Sequence, residues 1–399
     1  MTDIDEKEDI VEENTLEENI EEKENFDDRE LFDEKGSKIG FHTNDRLNSH
    51  EANVNLLIGK RSNGKSYSTL AFDGIKRFID SGYKDAFAYI RRFDREMNLI
   101  KRDIFNGMVQ NGWLEWYTKG KWNDIYYWQN RWYLRHINEE GEVDDKCKDA
   151  LAYAFCINTS DKAKGPDYIS IRTMIFDEFI PISHVYAFNE VEMWNNLIST
   201  IDRNRNRVKI YMIANTISKE CPHFEYYGID PDLLEKDRIY VGKVGTVGKL
   251  AIEYCADEGD PETKESVYFN FNDGIGAMIL GGDWQNRRFP SLPENVDVDD
   301  KAVFSVYILL REKLIRGTFL SLGDVSTIYF ERVDDYKIEP DDLLFIDDQY
   351  LDSMLYKNVI VRLDTSNNVA RTVLKYLNQG RCYYDSDDTG EKIAYFASL

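Results

Sequence analysis

The residues best placed to do chemistry are Gly59, Lys60, Arg61, Ser62, Asn63, Gly64, Lys65 and Ser66, which close the apolar run from Val54 to Ile58. Their pattern is G-x-x-x-x-G-K-[ST]. Glycines at both ends let the backbone turn with its N–H groups inward, so that a triphosphate can lie in a nest of amides at a helix N-terminus. Lys65 would reach the β and γ phosphates, the Ser66 hydroxyl would hold Mg²⁺, and Tyr67 completes the ATP-binding set. A glycine-rich surface turn could carry the same letters, but the context argues against it. Val54, Leu56, Leu57 and Ile58 read as a buried strand. Tyr67, Leu70, Ala71, Ile75, Phe78 and Ile79 then recur at the three- and four-residue steps of a helix.

A second acidic pair stands about 110 residues on, where Ser170 to Phe176 reads as a strand that ends in Asp177-Glu178. Apolar residues followed by Asp-Glu at a strand end are the Walker B signature of hydrolytic P-loop enzymes. Asp177 would serve the Mg²⁺ shell and Glu178 would take a proton from the attacking water. Alone the pair is weak, because strands often end in a solvated acidic turn. Following a phosphate loop, it is far more specific.

The elements that must position these groups read as α/β. Strand, phosphate loop, helix and the strand Ala86 to Ile90 form a β-α-β unit, which implies a parallel sheet. Arg91, Arg92 and Arg95 follow that strand, and either meet phosphates or form a solvated basic turn. Trp113 to Ile137 carries five tryptophans and four tyrosines, which suggest two short hairpins. They pack an inserted β layer or, beside Lys119, Lys121, Arg131 and Arg135, stack on bases. Val185 to Ile201 is expected to be a helix. The run Asp202-Arg203-Asn-Arg205-Asn-Arg207 and a strand ending at Asn215 come next, and arginines so spaced are either solvated or meet anions.

Composition sets the frame. The 399 residues are 42% hydrophobic and 13% aromatic, enough for two cores, and no apolar run is long enough to cross a bilayer. Cys147, Cys156, Cys221, Cys255 and Cys382 show no paired spacing and no histidine at metal-ligand spacing, so they read as reduced, buried thiols in a cytosolic protein. Net charge is −24, of which −13 falls in residues 1–35, leaving −11 for the other 364. That acidic start reads as disordered. It is either a solubilising tail or a segment that occupies a basic groove until nucleic acid displaces it.

Taken in order and spacing, GKRSNGKS, YIRRF, IFDEFIP and DRNRNRVKIYMIAN resemble the DNA-packaging ATPases, or encapsidation proteins, of small tailed phages of the Picovirinae type. The likeness is clear over about residues 50 to 230. It implies a homomeric ring, a pentamer, at the portal of a prohead, driving double-stranded DNA inward with ATP, with a structural prohead RNA as a further partner. No membrane is involved, and the location is the cytoplasm of the infected host and, transiently, the prohead. By position in the motif, Arg203 resembles a finger acting on the neighbouring subunit's site, and Lys164 a second residue reaching across that boundary. Asn215 resembles the partner that holds Glu178 inactive until DNA engages. Asp94 and Pro181 stand where shorter members carry basic residues, so the DNA grip does not transfer.

The expected organisation is a tail (1–43), a P-loop ATPase domain with a mainly parallel sheet (44–255), a linker or lid (256–298) and a smaller ribonuclease-H-like β-rich domain (299–399). Strands near 238–241 and 249–254 are expected within a lid or connecting segment, and a hairpin near Cys382 and Ala394 is expected to end the chain. Asp364, Asp385, Asp387 and Asp388 are the only carboxylates placed for a nuclease site there, and docking on a portal or RNA is the simpler use. Two alternatives to a translocase stay open: a nucleoside or small-molecule kinase, and a non-hydrolysing nucleotide-gated scaffold.

Overall fold

A computed structural model describes residues 21–22, 42–183, 185–256, 289–310, 313–323, 325–333, 335, 337–339, 341–347, 358–363 and 365–398. The expected linker therefore lies largely outside the described residues, as does the acidic start apart from 21–22. The chain divides into two compact units. The first comprises residues 1–179, 191–216 and 222–283, and the second comprises 180–190, 217–221 and 284–399.

The first unit is built on an eleven-stranded sheet. Its strands are β1 (Glu21–Glu22), β2 (Val54–Gly59), β3 (Ala86–Arg91), β4 (Asp124–Trp128), β5 (Arg131–Ile137), β6 (Val143–Lys146), β7 (Ala152–Cys156), β8 (Ile171–Asp177), β9 (Lys209–Asn215), β10 (Arg238–Val244) and β11 (Gly248–Tyr254). Across the sheet they run β1-β10-β11-β2-β9-β8-β3-β7-β5-β4, with β6 on β5. The six from β11 to β7 are mutually parallel. β2 and β3 are buried at every position, as a central parallel strand covered on both faces must be. The hairpin β10–β11 is part of this sheet, not of a lid, because β11 pairs in parallel with β2.

After the glycine-rich loop the chain is helical as expected, although the central stretch Thr69–Lys76 is a π-helix. The expected pair of hairpins is corrected to one. Trp113–Tyr117 is helical, and only β4–β5 forms a hairpin, turning at Gln129 and Asn130 with φ of 48° and 58°. Residues 143–146 add strand β6, and the helix expected from Val185 begins instead at Glu190. Trp113, Trp122 and Trp132 are buried, Tyr126 stacks on Tyr133, and Arg135 pairs with Asp124. Trp113, Trp122 and Trp132 thus serve packing, whereas Trp116 and Trp128 are exposed.

The second unit contains a six-stranded sheet of β12 (Ala302–Leu310), β13 (Lys313–Leu322), β14 (Val325–Arg332), β15 (Leu344–Ile346), β16 (Val359–Val361) and β17 (Cys382–Tyr384), ordered β16-β15-β12-β13-β14-β17. β12, β13 and β14 form an antiparallel meander, while β15 and β16 add in parallel beside β12. That is the ribonuclease-H-like order. The expected terminal hairpin is instead β17 followed by the helix Asp387–Ser398. Among the described residues Asp385, Asp387 and Asp388 form no metal-sized cluster: Asp385 accepts from the Arg332 N–H, Asp387 from the Phe289 N–H, and Asp388 pairs with Lys392. Asp364 lies outside the described residues.

Candidate functional site

Strand β2 delivers the glycine-rich loop at the carboxyl edge of the parallel sheet, where open α/β sheets bind ligands. Gly64 has φ of 94°, a conformation that suits only glycine without strain. A Cβ at Gly59 would lie 3.1 Å from that of Cys255, so a side chain there would have to push the end of β11 by a few tenths of an ångström. The Lys65 ammonium donates to the carbonyls of Gly59 (3.0 Å) and Lys60 (2.6 Å) and to Asn63 Oδ1 (3.0 Å). Burial lowers its pKa to about 8, against the pull of Cys255 and Asp177.

Sheet order brings the two motifs together. β9 lies between β2 and β8, and the Ser66 hydroxyl donates to Asp177 Oδ1 at 3.0 Å across 111 residues of sequence. Two hard oxygen donors at this separation suit Mg²⁺, which would be held by Ser66 and Asp177. The other Asp177 oxygen accepts from the Tyr89 hydroxyl (2.9 Å) and from Arg91 (3.3 Å). Glu178 leaves the strand with φ of 61°, a left-handed backbone costing about 1–3 kcal/mol that turns its carboxylate off the end of β8.

Arg91 and Arg92 are not the solvated turn that the sequence left open. Both are buried, because they stand where β3 ends beside β8. Arg91 donates to Glu178 Oε2 at 2.5 Å while also bridging to Asp177. Burial works against its charge, but Tyr89, Asp177 and Glu178 raise its pKa. Arg92 fixes the turn after β8 by donating to the carbonyls of Glu178 (3.0 Å) and Phe179 (2.7 Å). Asn215 sits opposite Gly59 in the β2–β9 ladder, but it is Arg91 that engages Glu178. Sequence spacing left Arg91 as either a phosphate contact or part of a solvated turn, with no link to Glu178. The missing signal was that the last residue of β3 falls alongside Asp177.

The other two expected residues, Lys164 and Arg203, lie on two loops that touch. Arg203 donates to the carbonyls of Gly165 (3.2 Å) and Pro166 (2.8 Å), directly after Lys164, which pairs with Asp161 at 2.5 Å. Both side chains are exposed, at 40% and 61%. Arg205 forks onto Asp167 with two bonds of 2.8 Å. Tyr67, on the first helical turn, accepts a hydrogen bond from Asn111.

All five cysteines are free and buried, but one has a histidine beside it, contrary to expectation. His42 Nε2 lies 4.0 Å from Cys255 Sγ and 3.9 Å from Glu253. That nitrogen is a donor to Asn44 Oδ1 at 2.9 Å, because the Asn44 amide nitrogen already serves Thr69 and Asp73. Its lone pair is therefore not offered to a metal. The His42 N–H donates to the Asn63 carbonyl, so the cluster braces the back of the glycine-rich loop.

Comparison with known proteins shows what the chain is similar to. Residues 136–253 match the family model described as podovirus DNA encapsidation protein (Gp16). The chain is 29% identical over 203 residues to the DNA packaging protein of Bacillus phage phi29, which covers 50% of this chain and 54% of that protein. It is 29% identical over 266 residues to the DNA packaging protein of Bacillus phage B103, covering 65% and 72% respectively. The chain thus spans about half the length of the phi29 relative it matches. Among solved structures, the phi-28 gp11 DNA packaging motor shares the fold, with a TM-score of 0.51 and 15% identity over 90% of this chain and 98% of that one. The bacteriophage phi-29 packaging motor assembly also scores 0.51, with 20% identity over 89% and 98%.

Proposed function

We propose that this chain, a relative of the podovirus DNA encapsidation proteins, is an ATPase that drives double-stranded DNA into a viral prohead. The observation that carries the reading is the meeting of Ser66, Asp177 and Glu178 at one sheet edge, below a glycine loop shaped for phosphates. Such a site binds a triphosphate through loop amides and Lys65. Ser66 and Asp177 would hold Mg²⁺, which would supply charge neutralisation for the transferring phosphate. Glu178 orients a water and accepts its proton, and the Arg92 bonds to the Glu178 and Phe179 carbonyls keep the turn that aims it. In the structure Arg91 occupies one Glu178 oxygen, leaving the other to receive the proton.

The reading extends to a ring of subunits. Arg203 and Lys164 are exposed and borne on touching loops, so a neighbouring subunit can receive both. The partners are then DNA, a portal and, through the C-terminal sheet, a structural RNA or the portal itself. Pentameric assembly, the finger role of Arg203 and the switch role of Asn215 belong to the same proposal.

Glu178→Gln tests the chemistry. It keeps the size and hydrogen bonding of the side chain but cannot take a proton. Binding of ATP should persist while hydrolysis falls by about 10²- to 10⁴-fold. Normal turnover in that variant would remove Glu178 from its role.

A further inference from the structure

Both connectors that leave the catalytic strand ends belong to the second unit, although the strands themselves belong to the first. Residues 180–190 begin two positions after Glu178, and residues 217–221 begin two positions after Asn215. Within the second unit the connectors are held by named contacts. The Tyr186 hydroxyl donates to the Glu220 carbonyl (3.3 Å), which ties one connector to the other. The Tyr186 ring meets that of Tyr395 edge-on at 6.2 Å, and Arg362 donates to Asn189 (3.0 Å).

The strongest of these anchors is an ion pair. Lys392, in the helix Asp387–Ser398, is only 5% exposed, and its ammonium lies 3.2 Å from Glu220 Oε1 while also pairing with Asp388 one turn earlier. Glu220 is 8% exposed. Pulling this ion pair apart would break a contact between two buried charges, which is costly, so the helix and the connector that follows β9 are held together. Ile393, Tyr395 and Phe396 bury the rest of the helix. A shift of the β9 end, transmitted along two residues of backbone to this pair, is therefore passed to the C-terminal unit.

We infer that Lys392 and Glu220 are positioning residues that carry the nucleotide state of the strand ends at Glu178 and Asn215 into the C-terminal helix. This rests on the ATP-site reading above. Neither residue touches the reacting groups, and their part is to couple hydrolysis to whatever the C-terminal unit grips.

Hydrogen exchange of the full chain, with and without Mg²⁺·ATPγS, tests it. In the unmodified protein, amides of residues 65–80 and of 387–398 should both slow by about threefold or more on adding the nucleotide. Lys392→Gln should keep the first response and lose the second, and Lys392→Arg should restore it. A merely structural anchor would let the second response persist, and that outcome overturns the proposal, as does a silent C-terminal helix in the unmodified protein. If Lys392→Gln frays the helix before nucleotide is added, the exchanged pair Lys392→Glu with Glu220→Lys decides, made together with Asp388→Asn so that no like-charge pair replaces the one between Lys392 and Asp388. Recovery of both protection and response supports the coupling, and protection without response refutes it. Absence of any change at 65–80 in the unmodified protein would instead refute nucleotide binding itself.

Discussion

Arg91 shows how much one side chain's placement depends on sheet register. Its charge and its location after a strand were legible in the sequence, but its partners were not. Parallel pairing of β3 with β8 sets Ile90 beside Phe176, so the next residue on each strand is Arg91 and Asp177. His42 was invisible for a related reason, since 213 residues separate it from Cys255. Burial lowers the His42 pKa from 6.5 to about 4, even though the bond to Asn44 favours the charged form. Between those values the unfolded chain binds a proton that the folded one refuses, so stability falls as pH drops from 6.5 towards 4. A shift of that size corresponds to about 3 kcal/mol. Chemical denaturation at pH 7 and at pH 4.5 should show His42→Gln losing less stability than the unmodified protein over that interval. Equal losses would contradict the buried neutral imidazole.

At the level of elements, hydrophobic periodicity found the parallel strands, because strands covered on both faces are continuous apolar runs. It also read residues 299–399 as β-rich, and the meander β12–β14 lies there. It failed where aromatic residues support either structure. Trp113, Leu114 and Tyr117 read as extended alternation, yet the segment is one short helix that stacks Trp113 on Tyr117 at 5.3 Å. The C-terminal helix was missed because Asp387 and Asp388 at its start look like a turn, while they are the acidic first turn that a helix N-terminus favours. Close packing between strands gives a test at this scale. A Cβ on Gly317 in β13 would lie 2.7 Å from the fully buried Phe330 ring and 3.2 Å from Val306. Gly317→Ala should destabilise the protein by about 1–3 kcal/mol in urea denaturation. No loss would mean that the sheet is packed more loosely than described.

For the whole molecule, the sequence motifs placed the glycine-rich loop and the Asp177-Glu178 pair at strand ends that the fold brings together, because each lies on a short contiguous stretch. The chain's division into units was less legible. The unit boundary does not follow one linker: segments 180–190 and 217–221 depart from the expected 44–255 domain to join the C-terminal unit. Assembly is tested by mixing inactive variants. Arg203→Ala subunits supply an intact base, and Glu178→Gln subunits supply an intact finger. Interfaces shared between them should regain measurable ATP hydrolysis, whereas a ring that stays inactive after mixing would count against Arg203 acting on its neighbour.

The most direct measurement is the rate of ATP hydrolysis by the full chain, alone and with double-stranded DNA and purified proheads. The account predicts Mg²⁺-dependent hydrolysis that rises when DNA and proheads are present. A chain that binds ATP but hydrolyses none under either condition would contradict it.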